Sequence, residues 1–255
     1  MADKFMSTAT ITRSDCLAEG VYSIWIKNQE MADQAKAGQF ISLYCNEGSR
    51  LLPRPISICE IDRVNGSLRL VYRVLGKGTE EFSKMKEGDT ITVMGPLGNG
   101  FIPEGSKALI IGGGIGIPPM LELAKTLNCK KEIVLGYRDV LFLNKELEAY
   151  GNVYVSTEDG SVGTKGNVID AILEHNIDAD IIYACGPTPM LRGVKEYAEK
   201  HGITAQLSME ERMACGIGAC LACVCKTKEK DHHSNVNNKR ICKDGPVFYA
   251  TEVEL

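Results

Sequence analysis

The most constraining feature of this 255-residue chain is a cysteine run near its end, Cys215-Gly-Ile-Gly-Ala-Cys220-Leu-Ala-Cys223, followed by Cys242. The spacing C-x4-C-x2-C with a distant fourth cysteine is the plant-type spacing for a [2Fe–2S] cluster. Each iron takes two thiolates, so one tight loop must deliver three of the four. Gly216 and Gly218 carry no side chains, which lets such a loop wrap closely and turn backbone N–H groups toward sulfur. A structural zinc site is the competing metal reading. Zinc usually takes two C-x2-C-like pairs, and only the first half here has local spacing. Unrelated buried thiols are the third alternative. Cys225 lies two residues past Cys223, and on an extended strand it points to the same side. It stays outside the ligand set because Cys215, Cys220, Cys223 and Cys242 already complete the pattern.

A length of 255 residues suits one large domain or two of ordinary size, and 44% apolar with 24% charged residues is enough for a real core. The net charge of −4 points away from a nucleic-acid partner. Ten cysteines in so long a chain do not make a small disulfide scaffold, and with this spacing they indicate a reducing compartment. The N-terminus Met1-Ala-Asp-Lys-Phe-Met-Ser lacks a signal-peptide apolar core, and runs such as Ala108–Ile111 are strand-sized. The expectation is a soluble cytoplasmic protein with no membrane contact.

Three segments follow from the pattern: 1–102, 103–209 and 210–255. The first reads as short strands between turns, at Gly20–Lys27, Gln39–Cys45, Leu51–Cys59, Leu68–Val74 and Thr90–Met94. About six such strands predict a small antiparallel barrel, with Thr79–Met85 as its one helix. Two short motifs stand out in it. Arg54-Pro55-Ile56-Ser57 is one. Val71-Tyr72-Arg73, followed by Gly76-Lys-Gly78-Thr79 at a helix start, is the other. A glycine loop at a helix N-terminus suits an anion, and two arginines can grip a pyrophosphate. Each alone is as well explained by a strand edge or an ordinary turn.

In the second segment the rhythm is β-glycine loop-α-β, which predicts a parallel sheet with helices on both faces. Strands are expected at Lys107–Ile111, Glu132–Gly136, Val153–Ser156, Ile181–Cys185 and Ile203–Met209. Helices are expected at Met120–Leu127, Val168–His175 and Pro189–His201. Gly112, Gly113, Gly114 and Gly116 form the loop where such folds bind a nucleotide. The strict G-x-G-x-x-G fails, because Ile117 holds the sixth position. Cys185-Gly186-Pro187 ends a later strand at the same carboxyl edge, so two loops flank one crevice. The bland alternative is glycine turns that only permit tight packing.

Together the segments are more specific than any one of them. The R-x-x-S barrel, the G-G-G-x-G domain with C-G-P, Pro96-Leu97-Gly98 and Thr157-Glu-Asp-Gly-Ser-Val-Gly163 resemble the ferredoxin–NADP reductase superfamily. Glu210-Glu-Arg-Met-Ala-Cys215 and Arg240-Ile-Cys-Lys-Asp-Gly-Pro-Val-Phe248 narrow this to a likeness with the electron-transfer subunits of NAD-dependent (class B) dihydroorotate dehydrogenases. The resemblance runs from about Thr8 to the end. It implies FAD on the barrel, bound by Arg54, Pro55, Ile56 and Ser57, with Arg54 at the phosphates and Ser57 beside flavin N5. Val71, Tyr72 and Arg73 would lie along its edge and ribityl side, and Gly78 and Thr79 at the pyrophosphate. Many superfamily members carry tyrosine where this chain has Ile56, so that aromatic contact is missing or comes from elsewhere.

The resemblance also implies NAD at the glycine loops and an FMN-containing catalytic subunit as partner, two copies of each chain. A flavin–iron–sulfur subunit of another complex, such as a ferredoxin–NADP transhydrogenase or a sulfide dehydrogenase, would share fold and cofactors. A zinc-binding adaptor on the same scaffold would be colourless. No residue here is needed as a general base, and no side chain is assigned a catalytic role. Arg138 and Asp139 pull in opposite directions on NADP against NAD, and only the resemblance favours NAD. His232 and His233 read as part of a polar surface loop.

Overall fold

The computed structural model describes residues 5–138, 140–230 and 235–255. Asp139, His232 and His233 lie outside the described residues.

The barrel is built from β1 (Phe5–Ala18), β2 (Val21–Lys27), β3 (Phe40–Tyr44), β4 (Arg54–Asp62), β5 (Ser67–Arg73) and β6 (Thr90–Leu97), closed in the order β1-β2-β5-β4-β3-β6 with antiparallel neighbours. Alternation along each strand sends Ile11, Ile24, Ile26, Ile41, Leu43, Ile58, Leu70 and Val93 into one buried core. The barrel holds two helices where the sequence predicted one. α1 (Gln29–Gln34) was missed; its cap is Asn28, whose Oδ1 accepts from Met31 N at 3.0 Å. α2 (Lys77–Ser83) starts earlier than predicted, and its fully buried Phe82 belongs to the barrel core. Residues 51–53 are loop, so β4 begins at Arg54 itself.

The second sheet contains β7 (Lys107–Gly113), β8 (Lys130–Tyr137), β9 (Asn152–Thr157), β10 (Thr164–Lys165), β11 (Ile181–Cys185) and β12 (Thr204–Ser208). Helices α3 (Pro118–Thr126), α4 (Asn144–Leu147), α5 (Val168–Glu174) and α6 (Thr188–His201) pack against it. α3 opens on Pro118, which has no N–H to leave unsatisfied in the first turn. The last segment adds β13 (Val224–Lys226), β14 (Asn238–Arg240), α7 (Ile241–Asp244) and β15 (Val247–Tyr249).

The predicted parallel sheet needs one correction. β15 joins it as a seventh strand, antiparallel to β12, with Leu207 opposite Phe248. The cluster segment therefore completes the α/β sheet. It also braces the link between the two larger units, where Asn99 N donates to Gly245 O at 2.6 Å and Tyr249 Oη to Glu104 Oε1 at 2.6 Å.

Barrel and sheet are locked by charge as well as by apolar packing. Glu122 of α3, 1% exposed, accepts from Ile61 N of β4 at 2.8 Å, which satisfies a carboxylate that burial pushes up from its usual range. Buried Arg69 of β5 donates to Glu146 of α4 at 2.5 and 3.2 Å and to Ser23 at 3.0 Å. Among the described residues no helix is long and apolar enough to cross a membrane.

Candidate functional site

On the barrel, Arg54 and Gly78 come together although 24 positions separate them. A Cβ on Gly78 would stand 2.5 Å from Arg54 Nε, so the guanidinium lies directly over the first turn of α2. First-turn N–H groups have no intrahelical partner, and a cation beside them makes an anion cradle. The Thr79 hydroxyl serves the loop: it accepts from Leu75 N and Gly76 N at 3.0 and 3.2 Å. That leaves the Thr79 backbone, not its side chain, for an anion. Glu81 holds the neighbouring loop by accepting from Asn46 N at 2.6 Å and pairing with Arg50. The cradle fits the pyrophosphate of a dinucleotide.

Pro55 and Ser57 are half-buried on β4, across from Ser42 and Phe40 of β3. Ile56 turns the other way and packs against the barrel core. The motif Val71-Tyr72-Arg73 divides in the same manner. Val71 lies in the apolar cluster shared with the second domain, whereas Tyr72 points inward, stacked on Tyr22 at 6.3 Å and edge-on to Phe82 at 6.2 Å. Only the backbone of Tyr72 is therefore available on the outer face. Its buried hydroxyl has no hydrogen-bond partner among the described residues, and burial pushes the phenol above its ordinary range.

The two glycine loops of the sheet meet. Cys185 is in register with Gly112, and a Cβ on Gly116 would stand 2.4 Å from the Cys185 carbonyl oxygen and 2.7 Å from Gly186 Cα. No side chain fits there, so Gly116 is required by close approach of backbone to backbone. Gly114, at φ +52°, faces open space. The 3-10 turn Gly114–Gly116 also lies against β5, and its Ile115 packs on the apolar cluster that includes Val71. A nucleotide in this crevice would have its reacting end beside the outer face of the barrel. Desolvation pushes the Cys185 thiol up to about 12, opposed by a hydrogen bond with Ser208. Pro187 is the exposed N-cap of α6.

The four predicted cluster cysteines fall into two contacting pairs. Cys215 meets Cys220 in the loop, and Cys223 meets Cys242 of α7, whose N–H donates to Cys223 Sγ at 3.4 Å. Among the described residues no three His, Cys, Asp or Glu side chains gather as ligands of a single metal ion. Pairing is what a two-iron cluster asks of its ligands. Burial raises the Cys215 thiol, but N–H groups of Ile217, Cys220 and Ala219 and the Cys220 thiol bring it down to about 6, so it is readily a thiolate. Cys242, 0% exposed, is pushed up to about 12 by burial and by the Cys223 sulfur beside it. Gly216 and Gly218, at φ +69° and +83°, supply the left-handed turns of the loop. Cys225 turns its buried thiol to the backbone N–H of Lys239 on β14.

Sequence reasoning did not find the seat of this loop. A Cβ on Gly216 would stand 3.1 Å from Ser42 Oγ and 3.3 Å from Leu97 and Met94 side chains. Phe40 packs in one cluster with Cys223, Cys225, Cys242 and Phe248. The cysteine loop thus sits on β3 and β6, and β3 is the strand that pairs with Arg54–Ser57. Nothing local marks Phe40 or Ser42, which read as ordinary strand residues.

Comparison with known proteins matches the chain in three parts. Residues 18–101 match an oxidoreductase FAD-binding domain, 110–196 an oxidoreductase NAD-binding domain, and 210–254 the iron-sulfur cluster binding domain of dihydroorotate dehydrogenase B. The chain is 42% identical over 260 residues to the dihydroorotate dehydrogenase B (NAD(+)) electron transfer subunit of Fusobacterium nucleatum subsp. nucleatum, covering 96% of this chain and 97% of that one. It is 42% identical to the corresponding subunit of Bacillus caldolyticus, with the same coverage. Among solved structures, a chain of an NADH-dependent reduced ferredoxin–NADP oxidoreductase superposes with a TM-score of 0.86 at 33% identity, covering 96% of this chain and 89% of that one. A ferredoxin NADP+ reductase from Neisseria gonorrhoeae, at 20% identity and TM-score 0.61 with 77% and 92% covered, shares the fold. Three matched domains in a chain covered almost end to end point to one family: this chain is a member of the electron transfer subunits of NAD-dependent dihydroorotate dehydrogenase B.

Proposed function

We propose that the chain carries electrons from the FMN of a dihydroorotate-oxidising catalytic subunit, through a [2Fe–2S] cluster on Cys215, Cys220, Cys223 and Cys242, to FAD and on to NAD+. The observation that carries this reading is the seat of the cysteine loop. Gly216 lies on Ser42, and Ser42 pairs across β3–β4 with Pro55 of the flavin motif. FAD, when bound, supplies the exchange between a two-electron hydride and single electrons. The protein's own residues supply position. Arg54 and the first turn of α2 hold the pyrophosphate. Ser57 and the backbone of Val71–Arg73 line the flavin. Gly112–Gly116 and Cys185–Pro187 bring the nicotinamide against it. The two thiol pairs hold the two irons.

The exposed side of the loop suits a partner. Cys220 is exposed, and Ile217 and Leu221 beside it are 43% and 61% exposed, an apolar rim around a redox centre. We place the catalytic subunit there, in an assembly with two copies of each chain. The isolated chain is expected to oxidise NADH with artificial acceptors and to show no turnover of dihydroorotate. Adding the FMN subunit should restore dihydroorotate-to-NAD+ transfer. NAD+ reduction by dihydroorotate with the isolated chain alone would overturn the division of labour.

The solved relative named above acts with ferredoxin, so the second reading is a ferredoxin-linked complex. Reduced ferredoxin failing to replace the FMN subunit would exclude it. NAD is the expected nucleotide. Diaphorase assays should give the higher kcat/KM with NADH, and a higher value with NADPH would reverse that assignment.

A further inference from the structure

The Gly218–Ala219 peptide is hydrogen-bonded at both ends. Its N–H, on Ala219, donates to Cys215 Sγ at 3.3 Å. Its carbonyl oxygen, on Gly218, accepts from Arg240 Nη1 at 3.3 Å. Arg240 stands two residues before Cys242 at the end of β14, and it is aimed by Asp244 of α7. Nε donates to Asp244 Oδ2 at 2.9 Å and Nη2 to Oδ1 at 3.2 Å, a two-pronged pair that leaves Nη1 for the loop. The Arg240 backbone N–H donates to the same carboxylate at 2.8 Å, so the pair is held at three points. The Lys243 stem packs over Gly218, closing the loop from the other side.

We infer that Arg240 is a positioning residue for the cluster: it holds the Gly218–Ala219 peptide so that its N–H is presented to Cys215, and its charge favours the reduced cluster. Hydrogen bonds in series polarise one another, so a cation on the carbonyl strengthens the N–H···S bond at the far end of the same peptide. Hydrogen bonds to sulfur and net charge near a cluster both set its potential. Each acts in the same direction here, because reduction adds negative charge to a centre that already has four thiolates. Replacing Arg240 removes a cation and leaves the Asp244 carboxylate with less positive charge opposite it.

This inference rests on the cluster reading, which iron and acid-labile sulfide content test separately. The measurement is the midpoint potential of the cluster, by redox titration followed by EPR, in the complex with the catalytic subunit. Arg240→Gln is expected to lower the potential and change the EPR line shape while the FAD potential stays put. Arg240→Lys keeps the charge and loses the fork, so its potential should fall between that variant and the parent. Lys239→Gln removes a neighbouring cation that is held by Glu252 at 3.0 Å, and it should change little. A full cluster complement in Arg240→Gln with an unaltered potential would overturn the inference. So would a shift in Lys239→Gln as large as that in Arg240→Gln. If Arg240→Gln fails to hold the cluster, Arg240→Lys decides: a lowered potential supports the assignment and an unchanged one refutes it.

Discussion

Cys223→Ser is expected to strip the cluster and to cut dihydroorotate-to-NAD+ transfer by more than about 100-fold, beyond the cost of losing an outer-shell partner alone. NADH oxidation with ferricyanide should persist, because the flavin cradle and the nucleotide crevice do not include this residue. Cys225→Ser, two positions on, should keep the EPR signal of the reduced cluster. The two thiols have different neighbours. Cys223 is 2% exposed and in contact with Cys242 on the lid formed by α7, whose Ile241 N–H donates to the Cys223 carbonyl at 2.9 Å. Cys225 is buried on β13 with its thiol against the Lys239 N–H of the neighbouring strand. EPR and iron analysis of anaerobically purified variants read the result. A signal lost in Cys225→Ser and kept in Cys223→Ser would show that the ligand set is wrong. Stoichiometric zinc without iron or sulfide in the parent would remove the electron-transfer reading altogether.

A second large effect is expected at Gly116→Val. The new Cβ would meet the Cys185 carbonyl oxygen at 2.4 Å and its carbon at 2.5 Å, both backbone atoms of a central strand. Neither loop can yield by a side-chain rotation, so the two glycine loops must separate. Displacing a bound nicotinamide by about 1 Å is enough to cost on the order of 100-fold in rate. NADH oxidation should fall by about that factor, with FAD content unchanged because the barrel is untouched. Gly114→Ala is the contrast. Its Cβ would meet nothing within 4 Å, and its cost is about 1–2 kcal/mol for an alanine held at φ +52°. NADH kinetics and flavin content of the two variants decide the matter. Near-parental kcat/KM in Gly116→Val would mean that the apposed loops do not hold the nucleotide.

Local pattern was a good guide wherever an element is defined by its own residues. Alternation in Val21–Ile26 and Leu68–Tyr72 reads as strands because one face is buried in the barrel. The Ile181–Cys185 strand has the bounds its apolar run predicts. α1 was missed because its six residues, Gln29–Gln34, bury only Met31 and Ala32 and show no helical period. β15 was missed for a related reason. Val247–Tyr249 is three residues long, and only its pairing with β12 makes it a strand.

By itself the sequence determined the chemistry that one short stretch can carry: thiols at cluster spacing, glycines where a loop must turn tightly, an arginine ahead of a flavin-type serine. Those depend on spacing along a single loop, and spacing is a property of the chain. The tertiary structure decided what meets what. It brought Arg54 over Gly78, set Gly116 against Cys185, and seated the cysteine loop on Ser42 and Phe40. It also turned Tyr72 and Ile56 inward, away from the outer face of the barrel, and joined Arg240 to the carbonyl of Gly218. Each of these is a contact between distant segments, chosen by barrel closure and sheet register, and register depends on how every strand buries its apolar side at once.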